Sequence, residues 1–279
     1  MRVMVCCAAA VTAASLAVSA AASELDAFIE RAEDRGIVIL GEIHDNPIHH
    51  TNQARIVEAL QPDALVFEMI PQEREARVNE LRAEGASREK IAEALDWEAS
   101  GWPDFDYYAQ VLEAAPEARV FGGGQPHADV RRAMVEGAAG PFGPDAAIYG
   151  LDQPLEPEEQ AARERIMAAA HCDAIPEEIL PGMVEAQRFR DAGLADATLW
   201  ARTMTGGGQV VVITGNGHAD LERGMPEPLR HANPDADLIS LGQLEAEPED
   251  EEEVPFDHVI VTDAPEREDP CAVFLDAAE

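Results

Sequence analysis

Four residues of this chain are placed to do chemistry together: Glu42, His44, Glu68 and His218. In Ile37-Val38-Ile39-Leu40-Gly41-Glu42-Ile43-His44-Asp45-Asn46-Pro47, an apolar run meets a glycine, and a carboxylate and an imidazole follow one residue apart. In an extended chain, alternation sets Glu42 and His44 on one face. Gln209-Val210-Val211-Val212-Ile213-Thr214-Gly215-Asn216-Gly217-His218 repeats the arrangement, with a histidine three positions after its first glycine. A third run, Ala64-Leu65-Val66-Phe67-Glu68, ends in a carboxylate shortly before Pro71. Two imidazoles and two carboxylates suit a divalent metal ion or paired acid/base work. An unpaired carboxylate at the end of an apolar strand is costly, so Glu42 and Glu68 must be solvated in a cleft, paired or protonated. Arg55 and Arg131 are the structural partners to consider.

Other chemistry lacks its residues. There is no Gly-x-Ser-x-Gly elbow, no His-Glu-x-x-His helix and no Cys-x-x-Cys pair, which disfavours serine hydrolases, common zinc proteases and thiol redox modules. Gly41-Glu42-Ile43-His44 does not supply the dinucleotide fingerprint. The triple glycine Gly122-Gly123-Gly124, followed by Gln125 and His127, offers backbone N–H groups to an anion but has no phosphate-loop Lys-Ser/Thr. His49 and His50 fall in the first turn of a helix that starts at Pro47, where they either contact a ligand or lie in solvent.

The elements that must position these residues alternate as in a layered α/β domain. The pattern predicts a central, mostly parallel sheet flanked by helices, with ligands taken at the carboxyl ends of the strands. Predicted strands run from Ile37, from Ala64 to Glu68, Arg119 to Gly122, Ala146 to Gly150, from Val210, Asp237 to Leu241 and Val259 to Thr262. Predicted helices run from Ser23 to about Arg35, Pro47 to Leu60, Asp104 to Ala115, up to Glu136, Glu156 to Ala170 and Pro176 to Thr205. Residues 71–115 form a helical insertion, broken at Gly85, with a loop from Trp97 to Asp104; it is predicted to cap the sheet edge. Residues 245–253, seven of nine acidic, read as a solvated loop.

The first 22 residues read as a secretory signal: Arg2 is their only charge, an Ala-rich apolar stretch follows, and Ser19 to Ala22 offer a cleavage site. Residues 23–279 are then one exported, periplasmic domain with no transmembrane segment, and a lipid anchor is the lesser alternative. Export leaves Cys172 and Cys271 as an even pair, which predicts a disulfide closing a loop of about a hundred residues, worth on the order of 4 kcal/mol in the chain-entropy model. The formal charge of −35, with Lys90 the only lysine, argues against nucleic acid and against an anionic membrane face.

Several segments together resemble the ChaN-like haem-binding family, in the wider grouping of the Tiki proteases and erythromycin esterases. They are Leu40 to His50, Phe67-Glu68-Met69, Ser100 to Phe105, Gly150 to Leu155, Met183 to Arg188 with Arg190-Asp191, and Ile213 to His218. The resemblance covers nearly the whole mature chain. It implies a parallel-sheet α/β core, haem as cofactor, a tyrosine iron ligand, paired haems in a homodimer and a role in iron uptake beside an outer-membrane haem system. Tyr107, Tyr108 and Tyr149 are the tyrosine candidates, with His44 and His49 as further haem contacts. The Tiki and esterase relatives imply instead a metal-dependent hydrolase at Glu42, His44, Glu68 and His218. Whether the chain is an enzyme stays open between the two.

Overall fold

The computed structural model describes residues 23–248, 254–269 and 271–272. The signal-like segment and residues 249–253 of the acidic run lie outside the described residues. Six strands, β1 (Ile37–Glu42), β2 (Ala64–Pro71), β3 (Arg119–Gly124), β4 (Val210–Gly215), β5 (Leu238–Leu244) and β6 (His258–Val261), form one sheet in the order β3-β2-β4-β1-β5-β6. Every pairing is parallel. Parallel sheets are covered on both faces, which is why their strands read as unbroken apolar runs.

The helices are α1 (residues 23–32), α2 (Pro47–Leu60), α3 (Glu75–Ala83), α4 (Arg88–Leu95), α5 (Trp97–Ser100), α6 (Phe105–Ala114), α7 (His127–Glu136), α8 (Ala139–Phe142), α9 (Pro157–Ala170), α10 (Leu180–Met204), α11 (Asn216–Ala219) and α12 (Pro226–Ala232). Alternation along each strand divides the core in two. Val38, Leu40, Leu65, Phe67, Val211 and Ile213 pack against Phe28 of α1, Ile56 of α2 and Val111 of α6. Ile37, Ile39, Val66, Val210 and Val212 pack against Phe189 and Leu194 of α10 and Leu229 of α12. The insertion, α3 to α6, therefore builds much of the first layer, and α10 dominates the second.

Several expectations shift. β2 runs on to Pro71, past Glu68, with an irregular register between Phe67 and Pro71. The triple glycine stays in β3 and is no anion loop. A Cβ on Gly122 would lie 2.6 Å from the Pro71 carbonyl carbon, and one on Gly124 2.8 Å from the Glu68 carbonyl oxygen. These glycines let β3 press against the irregular part of β2, and the Gly122 N–H is spent on Glu75. Residues 146–149 form a 3₁₀ turn, not a strand. The apolar run is too short to join the sheet and packs between α10 and α12, ending at Gly150 with φ +71°. Within the loop from Trp97, the first four residues form α5. Cys172 and Cys271 are joined in a disulfide, as expected, 99 positions apart. No helix among the described residues is long and apolar enough to cross a membrane.

Candidate functional site

Register puts Glu42, the last residue of β1, beside Gly215, the last of β4. Glu42 is 2% exposed and lies toward α2 and α6. Its Oε1 accepts from His44 Nδ1 at 2.7 Å and from the Tyr108 hydroxyl at 2.9 Å. Its Oε2 accepts from Gln53 Nε2 at 2.8 Å, with His50 Nδ1 at 3.6 Å. A buried carboxylate with this many donors is the satisfied case that makes such burial tolerable. His44 is the accessible member of the pair, its side chain 35% exposed, with the Trp102 ring edge-on at 4.9 Å. Burial lowers its basicity, but the bond to Glu42 and the charges of Glu68 and Glu42 outweigh that, and its pKa is raised.

Glu68 lies on the other side of the sheet, toward α10. Its Oε2 accepts from Thr214 Oγ1 at 2.8 Å and the Gly215 N–H at 2.9 Å. Its Oε1 faces His218 Nε2 at 3.3 Å. On the far side of that ring, Asp191 Oδ1 of α10 accepts from His218 Nδ1 at 2.6 Å, and the Gln187 amide lies 3.0 Å from the same nitrogen. Burial alone would suppress the imidazolium, yet the flanking carboxylates push His218 up to about 9. Burial is also the largest influence on Glu68, but the positive charge of His218, its hydrogen bond and the charge of His44 hold that carboxyl well below its usual range. The charged form of the Glu68–His218 pair is therefore favoured.

The two groups meet over Gly215. A Cβ there would stand 3.0 Å from His44 Nε2 and 3.7 Å from Glu68 Oε2. The missing side chain lets a pair from each face of the sheet converge at one strand end. The four residues expected to converge do so, but as two hydrogen-bonded sets rather than as one open ring of ligands. The partners of Glu42 and Glu68 are histidines, an amide, hydroxyls and the Gly215 N–H rather than arginines; Arg55 pairs with Asp26 instead. Among the described residues, no three His, Cys, Asp or Glu side chains are grouped as metal ligands.

The turn carrying His44 is held from the carboxyl-terminal part of the chain. Asn46 caps α2 through Oδ1, accepting from the Ile48 N–H at 2.9 Å. Its Nδ2 donates to Glu245 at 2.8 Å and to the Asp263 carbonyl at 3.0 Å. Glu245, in the acidic run, is thus a structural partner of the turn. His49 and His50 are fully buried and not solvated. His49 Nδ1 accepts from the Ile43 N–H at 2.9 Å while Nε2 donates to Thr262 Oγ1 at 2.9 Å, and burial pushes its pKa down to about 4. His50 Nε2 donates to the His44 carbonyl at 2.8 Å.

The tyrosines separate. Tyr108 is buried, and burial with the adjacent Glu42 charge pushes its hydroxyl pKa far up. Tyr149 lies in the α10 layer, donates to Asp196 at 2.7 Å and is likewise raised by burial and that bond. Tyr107 is half-buried, with its ring stacked on His50 at 5.0 Å. Asp191, Gln53, Thr214 and Gln187 are participants that reading the residues singly does not reveal. Asp191 and Gln187 belong to a recognisable motif, but only the packing of α10 against β4 shows what they hold.

Chemically, His44 has one nitrogen fixed by a carboxylate and the other turned toward the strand end. That arrangement serves a metal ligand or a general base. No curated protein matches this chain in sequence. Among solved structures, it is similar to ChaN of Campylobacter jejuni, described for cofacial haem binding, with a TM-score of 0.65 and 18% identity over 85% of this chain and 91% of that one. The type III effector HopBA1 has a TM-score of 0.50 and 14% identity over 87% and 94%. An erythromycin esterase in its open conformation has a TM-score of 0.42 and 11% identity over 88% and 81%. The profile of the haem-binding uptake family of the Tiki superfamily, ChaN, matches residues 28–229, and the chain belongs to that family.

Proposed function

We propose that this chain binds haem at the carboxyl ends of its strands, with His44 offered to the iron and Trp102 and Tyr107 as neighbouring aromatic surface. The carrying observation is the state of His44: accessible, its Nδ1 held by Glu42 at 2.7 Å. Histidines that bind metals characteristically donate their other ring N–H to a carboxylate, which fixes ring and tautomer. Haem, when bound, would supply an iron that accepts an imidazole or a tyrosinate. Tyr107 is the tyrosine best suited to that role, because Tyr108 and Tyr149 are engaged by carboxylates and resist ionisation. His49 is enclosed and bonded at both nitrogens, so it supports the turn rather than a ligand. The likeness to a protein with cofacial haems extends the reading to a homodimer. A disulfide fits an oxidising compartment, and with the signal-like first 22 residues it supports export to the periplasm and a part in haem or iron uptake.

Absorbance tests this reading. Haem added to the purified protein should give a saturable Soret band whose position changes in His44→Gln and in Tyr107→Phe. No saturable spectrum, or an unchanged spectrum in both variants, removes the proposal. A second reading, a hydrolase using Glu42, His44, Glu68 and His218, draws on the same Glu42–His44 pair, which is also a base with its orienting carboxylate. A divalent ion would have to displace the bonds these residues make to one another. If Zn²⁺ or Mn²⁺ raises the melting temperature in wild type but not in His218→Ala, while haem gives no saturable spectrum, the hydrolase reading replaces the first.

A further inference from the structure

Behind His218, between α9 and α10, lies an open cleft of about 250 Å³ that the haem reading does not use. One wall is apolar: Ile166, Met167 and Ala170 of α9 face Val184 of α10. The polar end carries Arg190, with Gln187 beside it. Three arginines and one aspartate line this cleft, in a chain whose formal charge is −35. Arg163 is bound to Glu159 and Glu227, and Arg223 to Glu159 and Glu222. Arg190 instead makes a hydrogen bond from Nη2 to the neutral Gln187 Oε1 at 2.7 Å. Its Nε is buried with no hydrogen-bond partner among the described residues. That nitrogen is closed off from the cleft, but no carboxylate among the described residues lies within ion-pair distance of Arg190, which leaves its guanidinium charge to make a charge-assisted bond to an anion there.

We propose that this cleft is a second ligand site, for a small aliphatic carboxylate. The carboxylate accepts from Arg190, and the hydrocarbon tail lies along Ile166, Met167 and Ala170. The apolar wall selects an organic acid over an inorganic anion, because a bare phosphate would leave it wet. The volume sits just below the ~300–1,000 Å³ of ordinary small-molecule pockets, so the tail is short. Ile166, 47% exposed, stands at the rim where the ligand enters.

Titration calorimetry with sodium octanoate tests the site, with inorganic phosphate as the control anion. Wild type should bind octanoate saturably and phosphate at least tenfold more weakly. Arg190→Met should weaken octanoate at least tenfold, and so should Ile166→Glu, whose exposed position keeps the fold safe. Both variants should keep the wild-type haem spectrum, which separates this site from the haem reading. Absence of saturable octanoate binding overturns the proposal. Undiminished affinity in Ile166→Glu, or phosphate binding as tight as octanoate, overturns it equally.

Discussion

His49 should make this protein sensitive to mild acid in a window that can be assigned to one residue. The imidazole is fully buried, accepts the Ile43 N–H and donates to Thr262. Protonation would put a second donor against Ile43 and a charge in the core. Its folded pKa is lowered from 6.5 to about 4 by burial. The unfolded chain therefore binds the proton first, and the contribution of His49 is full above about 6.5 and is lost as pH falls toward about 4. A gap of that size corresponds to about 3 kcal/mol. Urea midpoints followed by tryptophan fluorescence at pH 7, 5.5 and 4 measure it, in wild type and in His49→Gln. The glutamine loses some bonds at every pH but does not titrate. The stability difference between the two proteins should therefore shrink by about 3 kcal/mol between pH 7 and pH 4. Acid effects on other carboxylates act on both proteins and cancel. A difference that is constant across this range, or that grows on acidification, refutes the reasoning.

His218 should behave in the opposite sense: its stabilisation is full below about 6.5 and lost as pH rises through about 9. Urea midpoints should fall more between pH 7 and pH 10 in wild type than in His218→Gln. Tyr108→Phe removes one donor to Glu42 and should cost about 1–3 kcal/mol, read by urea unfolding. Gly215→Ala places a Cβ 3.0 Å from His44 Nε2 and should weaken haem binding at least tenfold in an absorbance titration. Reduction of Cys172–Cys271, which closes a loop with a separation of 99, should cost about 5 kcal/mol in the loop-entropy account, seen as a lower melting temperature with dithiothreitol.

The sheet was legible because burial on both faces leaves continuous apolar runs, and Ile37, Ala64 and Val210 each open one. Four endpoints were legible in position: Glu42 closes β1, Glu68 lies within β2 near its end, and His44 and His218 follow β1 and β4, where a parallel sheet gathers them. What each endpoint touches was not legible. Asp191 lies 27 positions before His218, and Tyr108 lies 66 after Glu42. Those partners depend on how α10 and α6 lie on the sheet, which local periodicity does not encode. The run at Ala146 misled for a related reason: β-like composition over four residues does not create a sheet neighbour. His49 and His50 misled because the first turn of a helix is ordinarily solvated. Here the carboxyl-terminal segment at Thr262 covers the His49 side of that turn.

The cap on the His44 turn also bears on the order in which the protein can mature. Asn46 and His49 reach Glu245, Thr262 and Asp263, groups made more than two hundred residues later or nearly so. A ribosome or a translocation channel delivers residues in sequence, and the amino-terminal half must wait, its turn unfinished, for the last strand to emerge. A product truncated before β6 could complete most of its sheet and keep Glu245, yet leave this turn without Thr262 and Asp263. Ligand competence would then mark full-length synthesis, and prematurely ended chains would be distinguishable by their failure to take up ligand.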